Sequence, residues 1–125
     1  MNKDNAASQA KAQLDSIIEM ITALDTEDDD ARDEARERIL EDALSVEVRS
    51  DWAAPGADLT PTEYRVLLCT GGPAVQIVGD LSEHGEPETA RLMYQDWFTP
   101  WSEYIVTGSD RAALMTYVQQ FYFGE

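Results

Sequence analysis

The sequence predicts a single α+β domain: an N-terminal helical hairpin and a C-terminal helix packed on an antiparallel sheet of four or five strands. Three observations predict it. Apolar residues recur at helical spacing through the first 45 positions. The period changes to two between residues 46 and 106, in short runs broken by turn residues. It returns to helical over residues 109–122. A chain of 125 residues with 43% hydrophobic content has the length and composition of one globular domain.

Residues 1–7 are polar and expected to be disordered, and the helical hairpin is expected over 8–45. From Ala7 to Leu24, the apolar residues Leu14, Ile17, Ile18 and Ile21 fall at i, i+3, i+4 and i+7, one face of an amphipathic helix. "DTEDDD" follows, with Asp25 or Thr26 as N-cap and acids in the first turn, where the helix dipole favours them. The second helix runs to about Leu44. Its expected buried stripe is Ala31, Ala35, Ile39 and Ala43, with Leu40 and Leu44 flanking.

In "SVEVRSDW", Val46, Val48, Ser50 and Trp52 alternate with Glu47, Arg49 and Asp51, the pattern of a half-buried strand. "TEYRVLLCT" and "AVQIVGDL" read as strands joined across "GGP", a hairpin signal. "TARLMYQDW" and "WSEYIV" read as strands around "FTP". Gly108, Ser109 and Asp110 then lead into a helix from Arg111 to about Tyr122, with Ala113, Leu114, Tyr117, Val118 and Phe121 as its stripe. Strands joined by short loops favour antiparallel pairing.

The net charge of −16 comes from 25 acids against 9 bases. It is far beyond the magnitude of about 2 to 8 that keeps a small domain soluble. Direct binding to nucleic acid is disfavoured, because phosphates are repelled. A basic protein surface is the complementary partner. One cysteine allows no intramolecular disulfide, and a reducing, cytoplasmic setting fits. There is no signal-peptide h-region and no apolar run long enough to span a membrane.

Catalytic signals are weak. His84, the single histidine, sits in the loop "SEHGEPE", with no G-x-S-x-G elbow near Ser82. Cys69 lies in an apolar strand and reads as an inert buried thiol. "DTEDDDARDEAR" lacks the glycine that a calcium loop needs at its sixth position. "CTGGPA" lacks the Lys-Ser/Thr of a phosphate loop. Neither an enzyme nor a cofactor or metal site is expected.

Two stretches remain. Residues 25–44 hold ten carboxylates and three arginines. On a helix, Asp30, Glu34, Glu37 and Glu41 share one face with Asp33 beside them, with neighbours ~5–6 Å apart at Cβ. Pairs Asp28–Arg32, Glu34–Arg38 and Arg38–Asp42 would soften that charge. "YQDWFTPWSEY" sets two tryptophans and two tyrosines beside Asp96 and Glu103. Trp97 and Trp101 either pack the end of the sheet or anchor an interface.

The segment "LTPTEYRVLLCTGGPAVQIVGDL…ARLMYQDWFTPWSEY" resembles small proteins encoded by prophages and plasmids. In size and charge, the chain resembles the anti-CRISPR and anti-restriction proteins that imitate DNA. The resemblance implies a mobile-element origin and a host-defence target. The expected function is non-enzymatic inhibition of a CRISPR effector or restriction system, by occluding its basic groove. The expected contacts are Asp29, Asp30, Asp33, Glu34, Glu37 and Glu41, then Asp96, Trp97, Trp101 and Glu103. The alternative is a structural or assembly-accessory phage protein acting through an aromatic or apolar sheet face, with a homodimer left open.

Overall fold

The computed structural model describes residues 5–70, 73–96, 99–121 and 123. The elements are α1 (Asn5–Leu24), α2 (Asp29–Asp42), β1 (Ser45–Ser50), β2 (Pro61–Cys69), β3 (Ala74–Asp80), β4 (Arg91–Gln95), β5 (Ser102–Tyr104) and α3 (Gly108–Val118). The strands form one antiparallel meander in the order β1-β2-β3-β4-β5. The class is α+β, with both N-terminal helices and the C-terminal helix on one side of the sheet.

Alternation along the strands sets the two faces. Tyr64, Val66 and Leu68 of β2, Val75 and Ile77 of β3, and Leu92 of β4 point into the core. They meet Ala10, Leu14, Ile17 and Met20 of α1, and Leu114, Tyr117 and Val118 of α3. Two bulges place an extra residue on β2. Ser50 pairs with Pro61 where Arg49 pairs with Glu63, and Cys69 pairs with Val75 where Leu67 pairs with Gln76. The second bulge turns Cys69 toward the core beside Leu68. The thiol is half-buried, and that burial raises its pKa.

α1 begins at Asn5, inside the stretch expected to be disordered, and Ala6 is buried. Its buried line is Ala6, Ala10, Leu14, Ile17 and Met20; Ile18 and Ile21 pack partly buried at its border. α2 packs on α1 rather than on the sheet. Its contact is therefore narrow: only Ala35 and Ile39 are buried, Ala31 and Ala43 are half-buried, and Leu40 and Leu44 are exposed. The N-cap is Asp28 rather than Asp25 or Thr26. Asp28 Oδ1 accepts from the Asp30 N–H at 3.0 Å, and Thr26 Oγ1 accepts from the Asp28 N–H at 3.2 Å.

β1 ends at Ser50, and Trp52 lies beyond it, fully exposed. Pro61 stands opposite Ser50 and has no N–H with which to continue the ladder. The expected half-buried strand is an outlying edge instead. The helical layer sits over β3, β4 and β5, so Val46 and Val48 share the core face yet are 37% and 41% exposed. α3 spans Gly108–Val118, with Thr107 as N-cap, and ends short of the expected Tyr122.

A close approach inside the sheet depends on a glycine. Tyr64 stands opposite Gly79, and its hydroxyl donates to the Thr89 carbonyl. A Cβ at position 79 would lie 2.0 Å from that carbonyl oxygen and 2.7 Å from the Tyr64 hydroxyl.

Candidate interaction surfaces

Ala35 and Ile39 fix how α2 faces α1. At about 100° per residue, Asp30, Asp33, Glu37 and Glu41 then point away from α1, with Asp29 and Glu34 at the borders of that outward sector. All six are exposed. The arginines fall on the flanks. Arg38 reaches back to Glu19 of α1 at 3.6 Å. Arg32 contacts Asp29 at 3.4 Å and donates to the Thr26 carbonyl at 2.6 Å. Of the expected pairs along the helix, Asp28–Arg32 gives way because Asp28 caps the backbone. Arg38 turns to α1 instead of Glu34 or Asp42, and Asp42 accepts a hydrogen bond from the Tyr117 hydroxyl at 2.7 Å. The outward sector of α2 is therefore predominantly acidic, with Arg36 exposed at the same border as Asp29 and Asp29 itself paired with Arg32.

The second expected group does not join this surface. Asp96 and Trp101 are half-buried. The turn between them is closed by Thr99, whose Oγ1 accepts from the Asp96 N–H at 3.2 Å and donates to the Asp96 carbonyl at 3.0 Å. Gln95 Nε2 donates to the Thr99 carbonyl at 2.8 Å. Trp97 lies outside the described residues. Glu103 is exposed and pairs with Met93 on the sheet face turned away from the helices. α2 and Glu103 thus occupy opposite sides of the sheet.

That open face was not anticipated as a charged surface. It carries Glu47 and Arg49 from β1, Glu63 and Arg65 from β2, and Arg91 from β4. Arg49 Nε and Nη2 each donate to a Glu63 oxygen at 3.0 Å, and Arg65 Nε donates to Glu47 at 2.9 Å. The Arg49 guanidinium holds the Glu63 carboxyl below its usual range. These groups and Gln76, the one buried polar residue among the described residues, line a shallow depression of about 340 Å³. Three of the chain's nine basic residues thus gather on the side opposite α2. Cross-strand pairing of oppositely charged residues produces this, and the alternation of Glu47 with Arg49 and of Glu63 with Arg65 is its trace in the sequence.

His84 is an exposed loop residue 3.6 Å from Glu83. Among the described residues, no group of three His, Cys, Asp or Glu side chains is placed to hold a metal ion. No helix among them is long and apolar enough to cross a membrane.

No protein-family model, no curated protein and no solved structure matches the chain.

Proposed function

We propose that this chain is a non-enzymatic inhibitor carried by a mobile genetic element. It binds a host nucleic-acid-handling complex, a CRISPR effector or a restriction enzyme, through the outward face of α2 and blocks that complex's basic groove. One observation carries the reading: the outward sector of α2 presents Asp29, Asp30, Asp33, Glu34, Glu37 and Glu41 exposed, while Arg38 is drawn back to Glu19 of α1 and Arg32 lies on the flank against Asp29. A row of fixed carboxylates on a folded support offers a Lys/Arg-lined channel what a phosphate backbone offers it. The narrow seat on Ala35 and Ile39 leaves most of the helix surface available to a partner.

The test is competition. The chain is immobilised, a bacterial lysate is passed over it, and bound proteins are eluted with rising salt. Each candidate is then assayed for DNA or RNA binding with and without the chain. The expected result is a basic nuclease or effector subunit released at moderate salt, whose nucleic-acid binding the chain inhibits. The triple variant Asp30→Lys, Glu34→Lys, Glu37→Lys should lose inhibition while keeping its circular dichroism spectrum. Inhibition that survives the triple reversal would sink the reading.

The assembly-accessory reading has its own observation in the exposed apolar side chains of β1 and the segment just after it, Val46, Val48 and Trp52 among them. An interface built there is far less weakened by salt than one built on α2.

A further inference from the structure

The two edges of the sheet differ. β5 is three residues long, and a short edge strand offers little to pair with. β1 has six residues, contains no lysine or proline, and keeps its regular path, since both bulges insert their extra residue on β2. Its outer backbone groups face away from β2, and no strand among the described residues lies beside them. Edge strands of this kind pair with other chains unless blocked.

The side chains of this edge are self-complementary. Of the seven exposed large hydrophobic residues among the described residues, six lie between Leu40 and Leu59, and only Ile105 lies elsewhere. Leu44, Val46 and Val48 share the parity of the helix-side face. Leu44 continues the line of β1, for its N–H donates to the Leu67 carbonyl at 2.8 Å. Glu47 and Arg49 share the opposite face.

We propose that the chain forms a two-fold dimer by antiparallel pairing of β1 with β1 of a second copy, centred on Val48. A two-fold axis normal to the sheet sets residues opposite one another when their numbers sum to twice the central residue. Centring on Val48 places Val48 against Val48 of the second copy, and Val46 against its Ser50. The same register places Glu47 against Arg49 of the second copy, twice by symmetry. The charge row then reads Arg65, Glu47, Arg49, Glu63 across the interface, alternating in sign. Centring on Glu47 or on Arg49 would set like charges face to face, which destabilises a cross-strand pair. Both copies of α2 come to lie on the same side of a ten-stranded sheet, because the axis is normal to it. The dimer is independent of the α2 reading: neither uses the other's residues.

Salt acts on this dimer in an unusual direction. Each copy carries −16, and that long-range repulsion outweighs the few exposed ion pairs at the seam, so screening strengthens association.

Sedimentation velocity on the full chain over a concentration series, at low and at high salt, tests the proposal. The expected result is a monomer–dimer equilibrium that shifts to dimer as salt rises. Val48→Lys should weaken it at least about tenfold, because two lysines then meet on the axis; circular dichroism checks that the variant is folded. Val48→Cys should give a dimer linked by a 48–48 disulfide on oxidation, mapped by mass spectrometry, whereas Ile105→Cys, an exposed apolar position off the stripe, should not. A chain that stays monomeric at all concentrations, or a dimer indifferent to Val48→Lys and without the 48–48 link, overturns the proposal.

Discussion

Two buried tyrosines make the fold sensitive to alkali, and the effect can be worked out from their surroundings. Tyr64 and Tyr117 are 2% and 0% exposed. Burial raises both phenol pKa values above the ordinary 10.0. The Asp42 carboxylate raises that of Tyr117 further, since its hydrogen bond and its charge both oppose ionisation. Asp80 adds to Tyr64, with Arg91 opposing. The folded chain therefore holds two protons that the unfolded chain releases near pH 10. Stability from this source is fully present below that pH and is lost as pH rises above it. Each tyrosine contributes a slope of about 1.4 kcal/mol per pH unit, so both together give ~2.7. A domain with a stability of about 5 kcal/mol loses all of it roughly two units above the ordinary tyrosine value. Tyr117→Phe separates two effects of opposite sign. At neutral pH it should lower stability by about 1.5–3 kcal/mol, because the half-buried Asp42 loses its donor. Above pH 10 it should halve the slope. Urea unfolding across a pH series gives both quantities, with tyrosinate absorbance and far-ultraviolet circular dichroism read together. Tyrosinate formation at both positions with the dichroism intact would refute the reasoning, as would an unchanged slope in Tyr117→Phe.

Gly79→Ala puts a methyl group 2.0 Å from the Thr89 carbonyl oxygen, so β3 or the following loop must shift. A loss of at least about 1–3 kcal/mol is expected, read as a lower thermal midpoint; an unchanged midpoint would show that the Thr89 segment yields freely. Asp28→Ala removes the side chain that accepts from the Asp30 and Ala31 N–H groups. It should cost about 0.5–2 kcal/mol, and Asp28→Ser should recover most of that in the same urea assay.

Local chemistry made much of this molecule legible in the sequence. The i, i+3, i+4, i+7 series in α1, the alternation in β2 and the turn residues between strands reflect backbone geometry, which acts over a few residues. The acidic character of α2 and the exposure of Asp30, Asp33, Glu37 and Glu41 followed from the same spacing. Other features depend on what lies across the fold. The arginines of α2 look like partners for their neighbours four residues away, yet Arg38 finds Glu19 on α1. Asp42 looks like one more surface acid until Tyr117, 75 residues on, donates to it. Val46 and Val48 have the alternation of a half-buried strand, and that pattern is the same whether a helix covers the strand or not. The helices lie over β3, β4 and β5, leaving β1 bare. The gathering of Arg49, Arg65 and Arg91 on the open face likewise needs strand register, which is set by pairing between distant segments. Periodicity determines which face of an element is apolar; only packing between elements decides which apolar face is buried and which is left for a partner.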